Sequence, residues 1–136
     1  TERHRKGKGS VIYMKLKEAI DRIDEMRPNT APEEEKLRWL DTFDRSVRTE
    51  ILDAHEDAPT APFTGYNTES SYDTELLVPS PYDDVYIYLL ESRIAYRLGE
   101  IGRYNNAAAM LQSVYDSFAR DYHRRHVHKK GVYKYF

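Results

Sequence analysis

The 136-residue chain contains no cysteine, and it also lacks several motifs that mark catalytic sites. Without cysteine there is no disulfide bond, no thiol nucleophile and no zinc site built on thiolates. The G-x-S-x-G motif of serine nucleophiles, the H-E-x-x-H motif of zinc proteases and the glycine-rich loops that bind phosphate are all missing. No apolar stretch approaches the roughly 20 residues that a membrane-spanning helix needs. We therefore predict a protein that is not an enzyme, uses no cofactor and has no membrane partner.

Charge is unevenly distributed along the chain. The net charge is −2, but residues 1–17 and residues 120–136 each carry six lysines and arginines against one acidic residue. Each end therefore carries +5, which leaves −12 for residues 18–119. Two interpretations stay open: charged termini that keep the protein soluble, or a basic end that docks on an acidic partner.

Apolar residues recur at helical spacing in four stretches of the chain. These stretches are residues 15–26, 32–54, 81–98 and 104–122. Prolines and a glycine interrupt every helical period in residues 55–80, although a short strand or hairpin within 60–80 fits the sequence. The predicted fold class is all-α: a four-helix, bundle-like domain with a long loop between helices 2 and 3 and an extended C-terminal tail.

Capping residues predict where two of the helices begin. Thr30 and Glu33 fit a capping box for the second helix. Ser80 as N-cap and Pro81 at the first position fit the start of the third helix.

Three regions are predicted along the chain. Residues 1–13 have no helical period and are expected to be a disordered or non-native extension. Residues 14–125 are expected to form the helical domain, and residues 126–136 an extended tail.

The tail region holds the only cluster of histidines in the sequence: His123, His126 and His128. His123 and His126 are spaced to share one face of a helix end, as metal ligands often do. Four lysines and arginines surround them and would repel a divalent cation. No metal site is therefore predicted.

Tyrosine is the most frequent aromatic residue, with twelve tyrosines against four phenylalanines. Tyrosine is enriched at protein–protein contacts, so this excess favours an interface. The terminal sequence HRRHVHKKGVYKYF interleaves basic and aromatic residues. Such a tail suits an extended segment bound by another chain, or phosphate contact with base stacking. A small helical nucleic-acid-binding protein that uses this tail is therefore the alternative function.

Four segments of the chain resemble the head–tail connector, or adaptor, proteins of tailed phages. They are DTELLVPSPY at 73–82, YIY at 86–88, GEIGRYNN at 99–106 and SVYDSFARDYHR at 113–124. The resemblance covers about residues 14–136, and GEIGRYNN is its most specific part.

The resemblance implies a structural virion protein. Connectors of this family dock as a ring, expected to be twelve-fold, beneath the portal of the DNA-filled head. They extend the DNA channel and form a platform for the stopper or tail-completion protein. The expected partners are the portal protein, the stopper or tail-completion protein, other copies of the chain, and genomic DNA that passes without sequence-specific contact. The expected location is the head–tail interface of the virion, after assembly in the cytoplasm of the bacterial host.

The resemblance also implies which residues contact the portal, because the C-terminal segment of such connectors reaches up to it. The residues predicted to bind the portal are Arg124, Arg125, Lys129, Lys130, Val132, Tyr133, Tyr135 and Phe136.

A second set of residues is predicted to lie at subunit contacts or to bind the helix hairpin to the long loop. This set is Tyr86, Arg93, Arg97, Arg103 and Tyr104. For Arg103 and Tyr104, a lock within the hairpin of one chain is an equal alternative. Residues 60–75 are candidates for contact with a neighbouring subunit or for contact on the side of the connector that faces the phage tail.

Overall fold

A computed structural model describes residues 11–130 of the chain. This part is mostly helical, as predicted, and it also contains a two-stranded antiparallel sheet, whose second strand lies within the segment 60–80 where the sequence allows a short strand. The elements in chain order are β1 (Tyr13–Lys15), α1 (Leu16–Met26), α2 (Glu33–Glu50), a 3-10 turn (Leu52–Ala54), β2 (Glu75–Pro79), α3 (Val85–Arg97) and α4 (Ile101–Arg125).

The sheet joins the start of the described chain to the end of the long loop. Tyr13 lies opposite Pro79 in the antiparallel register, and the Ser80 N–H extends the pairing by donating to the Ile12 carbonyl at 2.8 Å. The prediction that residues 1–13 form an extension is therefore wrong for residues 12 and 13, because their backbone belongs to the fold. Residues 1–10 lie outside the described residues.

The core lies around α3, which packs against α1, α2 and α4. Eight side chains of α3 are buried, and they cover more than one face of the helix. A helix that is apolar over more than one face contacts several neighbours, as α3 does here. On α4, Phe118 is buried in this core, and Leu111, Tyr115 and Tyr122 are partly buried against it.

Neither predicted N-cap is found, although α2 begins at Glu33, close to its predicted start at residue 32. The N-cap of α2 is Pro32, which has no side-chain cap, and the Asn29 side chain instead accepts a hydrogen bond from the Ala31 N–H at 3.0 Å. Helix α3 begins at Val85 rather than Pro81, because the chain is still engaged in sheet pairing at Ser80.

A tight turn joins α3 to α4. Gly99 has a φ of +73°, and its N–H donates to the Tyr96 carbonyl at 3.1 Å. The Glu100 N–H donates to the Ala95 carbonyl at 2.9 Å. These two bonds form a Schellman motif with glycine in the left-handed position, which ends α3. Gly102 lies in the first turn of α4.

One buried carboxylate joins α2, α3 and the end of the long loop. The Asp44 side chain is fully buried and accepts hydrogen bonds from the Tyr66 hydroxyl at 2.5 Å, the Tyr86 hydroxyl at 2.7 Å and the Leu77 N–H at 3.1 Å. The Tyr86 hydroxyl in turn accepts from the Val78 N–H at 2.7 Å. Burial raises the pKa of Asp44 to about 6, although its three donors lower the pKa relative to burial alone.

Other α2 side chains hold the middle of the loop. Asp41 accepts a hydrogen bond from the Tyr66 N–H at 2.9 Å, and Arg48 donates to the carbonyls of Pro59 at 2.9 Å and Ala61 at 2.7 Å. Gly65 has a φ of +83°, and a Cβ atom there would lie 2.1 Å from an Asp41 carboxylate oxygen. The long loop is therefore ordered by a helix of its own chain.

Removal of the Asp44 carboxylate should destabilise the fold. The substitution Asp44→Ala leaves two tyrosine hydroxyls and one backbone N–H without their acceptor in the core. We expect the free energy of unfolding to fall by about 3 kcal/mol, measured by urea denaturation at neutral pH. The control Asp116→Ala removes an exposed carboxylate from α4 and should change stability by about 0.5 kcal/mol or less. A loss below about 1 kcal/mol for Asp44→Ala would contradict the prediction.

The raised pKa of Asp44 predicts a pH dependence of stability. Between pH 3.8, the ordinary pKa of an aspartate, and about pH 6, the folded protein keeps a proton on Asp44 that the unfolded chain has released. Stabilisation from this group is therefore complete below pH 3.8 and is lost as the pH rises through about 6. We expect wild type to lose up to about 3 kcal/mol relative to Asp44→Asn between about pH 4 and pH 7. If the stability of wild type relative to Asp44→Asn stays constant or rises with pH, the assignment is contradicted.

Candidate functional site at the end of helix α4

The start of the predicted C-terminal tail is part of the fold. Two backbone hydrogen bonds, of 2.8 and 3.0 Å, pair residues 54–56 with residues 127–129 around an antiparallel bridge between His55 and His128. The prediction of an extended tail from residue 126 is therefore wrong for residues 126–130. The other part of that tail, with Val132, Tyr133, Tyr135 and Phe136, lies outside the described residues.

This bridge places histidines from distant parts of the chain together. His55 and His128 are bridge partners without a hydrogen bond directly between their backbones, which is the closer kind of antiparallel pair. Their ring centroids are 4.5 Å apart. His123, near the end of α4, brings its Nδ1 to 3.0 Å from the His55 Nε2. One ligand nitrogen from each of the three rings lies within 4.8 Å of the other two.

His55 is fully buried and its ring is fixed by the backbone. Its Nδ1 lies 2.8 Å from the Ile51 carbonyl oxygen, which can only accept, so Nδ1 carries the proton and Nε2 presents a lone pair toward His123. Burial, as the largest cause, lowers the pKa of both His55 and His123 below the ordinary histidine value. Both rings are therefore neutral near pH 7.

His126 belongs to a different contact. Its ring stacks on Tyr122 with centroids 3.8 Å apart, and its Nδ1 lies 2.7 Å from an Asp57 carboxylate oxygen. The helical pair of His123 and His126 that the sequence suggests does not converge. The third histidine of the cluster with His123 and His128 is His55. The sequence does not reveal it, because 68 positions separate His55 from His123 and no local motif connects them.

The basic residues around this cluster are exposed, and two of them are paired. Arg124 and Arg125 both contact Asp121, at 2.6 and 3.1 Å. Lys129 and Lys130 are also exposed. The four described residues predicted to bind the portal are thus accessible around the end of α4.

The predicted subunit-contact residues fall into different environments. Tyr86 is fully buried, so its prediction as a subunit contact is wrong; its hydroxyl instead joins α3 to β2 and to Asp44. The alternative that it binds the hairpin to the loop is confirmed, since β2 is the end of that loop. Arg93 and Arg97 are exposed on α3.

Arg103 and Tyr104 make contacts within the hairpin. Arg103 lies 3.9 Å from Glu91 and 3.8 Å from Glu100, and the ring centroids of Tyr104 and Tyr96 are 5.6 Å apart. These contacts fit the intrachain alternative for both residues. The prediction of a contact with another subunit stays a prediction for them, as it does for Arg93 and Arg97.

Large apolar side chains are exposed at the hairpin end of the molecule. A groove of about 300 Å³ runs between α3, α4 and the end of α1, and Ile87 and Ala107 lie in its wall. Met26 and Met110 also line it. The side chains that are 45 to 66% exposed in this region are Met26, Tyr96, Leu98, Ile101 and Met110. We call this set, with the groove, the hairpin surface.

Asp44 has the raised pKa that catalytic carboxylates often show, but its geometry indicates a structural role. It is completely buried, and its two oxygens already accept three hydrogen bonds. No substrate atom can approach it without opening the core.

Comparison of the whole chain with known proteins finds no matching family model, curated protein or solved structure. Within residues 11–130, no helix has both the length and the apolar character required to cross a membrane.

The contacts of residues 126–130 with the domain predict different effects for two truncations. Deletion of residues 126–136 removes His128 and two backbone hydrogen bonds, and it uncovers the buried His55. We expect it to lower the free energy of unfolding by about 2 kcal/mol in urea denaturation. Deletion of residues 131–136 leaves all these contacts in place and should change stability by about 0.5 kcal/mol or less. Equal stability of the two truncated proteins would mean that the bridge contributes nothing.

Proposed function

We propose that the chain is a structural head–tail connector that assembles as a ring beneath a phage portal, on a bundle-like helical domain. The observation that carries this proposal is the hairpin surface. Five large apolar side chains exposed at one end of a small domain are typical of a protein–protein contact. The proposed occupant is a neighbouring copy of the chain, because a ring needs each subunit to present a surface to the next.

The segment that most resembles connector proteins lies at this surface. GEIGRYNN spans the α3–α4 turn, where Gly99 supplies the left-handed residue and Glu100 pairs with Arg27 of the chain after α1. Arg103 adds contacts to Glu91 and Glu100. Several residues of the segment therefore have a clear structural purpose, which is to fix the hairpin in one position against α1.

The fixed position of residues 127–129 supports docking through the C-terminal segment. Residues 127–129 are held against residues 54–56, so the end of the described chain, at residue 130, has a defined place on the domain. Exposed basic side chains surround that place, and the sequence GVYKYF follows it. A segment of this kind can dock into a portal while the helical domain stays unchanged.

Native mass spectrometry of the full chain, alone and mixed with the portal protein of the same phage, tests this function. We expect a complex with about one copy per portal subunit, which is lost on deletion of residues 131–136. That deletion spares the bridge at His128, so loss of binding cannot be ascribed to loss of the fold. Circular dichroism of the truncated protein checks this point.

A substitution in the hairpin surface provides the second part of the same experiment. Met110→Glu places a charge in the groove and should reduce the number of copies per complex, whereas Gln112→Glu on the exposed face of α4 should not. If no complex forms with the portal and the chain instead binds duplex DNA with a steep salt dependence, the connector proposal fails in favour of the nucleic-acid alternative. The pairing of Arg124 and Arg125 with Asp121 makes that outcome less expected.

A further inference from the structure

The three histidines at the end of α4 have the arrangement of a metal-binding site. The donor atoms come from three separate parts of the fold: His55 follows the 3-10 turn, His123 lies in the last turns of α4, and His128 lies beyond it. Their ligand nitrogens lie within 4.8 Å of one another, and the closest pair is 3.0 Å apart. A zinc ion bound at its usual distance of about 2.0 Å to each imidazole nitrogen holds such atoms roughly 3.3 Å apart, so a small rotation of the rings would complete the site.

The surroundings of His55 prepare it for this role. Histidine ligands usually donate their second ring N–H to a carbonyl or carboxylate, which fixes the tautomer and the ring orientation. His55 does so through Nδ1 to the Ile51 carbonyl, and it is buried, so its Nε2 lone pair has a single defined direction. That direction leads to His123.

The sequence suggested that the nearby basic residues would repel a cation, but their placement in the structure does not oppose one. Asp121 pairs with Arg124 and Arg125, whose side chains are about 70% exposed. Asp57 adds a carboxylate beside the cluster through its contact with His126. The basic residues that are neighbours of His123 in sequence therefore extend toward solvent, away from the buried His55.

We propose that His55, His123 and His128 together bind one divalent transition-metal ion through one ring nitrogen each. Imidazole ligands favour zinc, copper, nickel or iron over calcium and magnesium, and three histidines leave one coordination position for water or another ligand. The bound ion would join α4, the residue that follows the 3-10 turn, and the residues that follow α4. This inference goes beyond the proposed connector function and does not depend on it.

The test uses the full chain after treatment with a chelator, and zinc ions as the probe. Isothermal titration calorimetry should show one zinc per chain, and cobalt(II) in its place should give the intense visible absorption of four-coordinate cobalt. The variants His123→Ala and His128→Ala should each lower zinc affinity about 10-fold or more. His126→Ala is the matched control: its ring packs beside His55, but its Nδ1 contacts Asp57 and its nitrogens are not among the three that come together, so it should keep wild-type affinity.

Each result decides the proposal. Absence of zinc binding by wild type, or affinity that His123→Ala and His128→Ala leave unchanged, would overturn it. Circular dichroism of each variant verifies that a lost affinity does not reflect a lost fold. Both variants remove partly exposed rings and not the buried His55, which keeps the risk of unfolding low. A rise in the melting temperature of wild type with zinc, absent in these two variants, would give the same answer independently.

Discussion

The buried carboxylate of Asp44 is the interaction on which the rest of this fold depends. It receives two tyrosine hydroxyls and one backbone N–H, and these donors come from the long loop, β2 and α3. A charged group in a core is costly unless every lone pair finds a donor, so the network tolerates few alternative arrangements. It fixes where the loop crosses α2, and hence where β2 can pair with β1.

Several tyrosine hydroxyls bond acidic residues of α2. Tyr66 and Tyr86 donate to Asp44, and Tyr115 donates to Glu50 at 2.6 Å. A tyrosine can fill apolar space and still bond a carboxylate, which leucine and phenylalanine cannot do. The chain therefore uses these tyrosines to attach its own segments to acidic residues of α2. The tyrosine excess alone is therefore weak evidence for an interface. The proposed subunit contact rests on the hairpin surface instead.

Local patterns predicted the four helices, because helical periodicity depends on residues close in sequence. Predictions that needed distant partners did worse. Ser80 and Pro81 looked like a helix start, yet Ser80 pairs with Ile12 in an extension of the sheet. The histidines of the tail were noticed, but the wrong pair was chosen, since His55 lies on another part of the chain.

By itself, the sequence determined where helices form and how charge is distributed. Those properties follow from helical periodicity, glycine and proline, and composition, which act over a few residues. Only the tertiary structure decided that Tyr86 is buried, that residues 126–130 belong to the domain, and that His55 meets His123 and His128. Each of these depends on segments that are far apart in sequence and that the packing of the helices brings together.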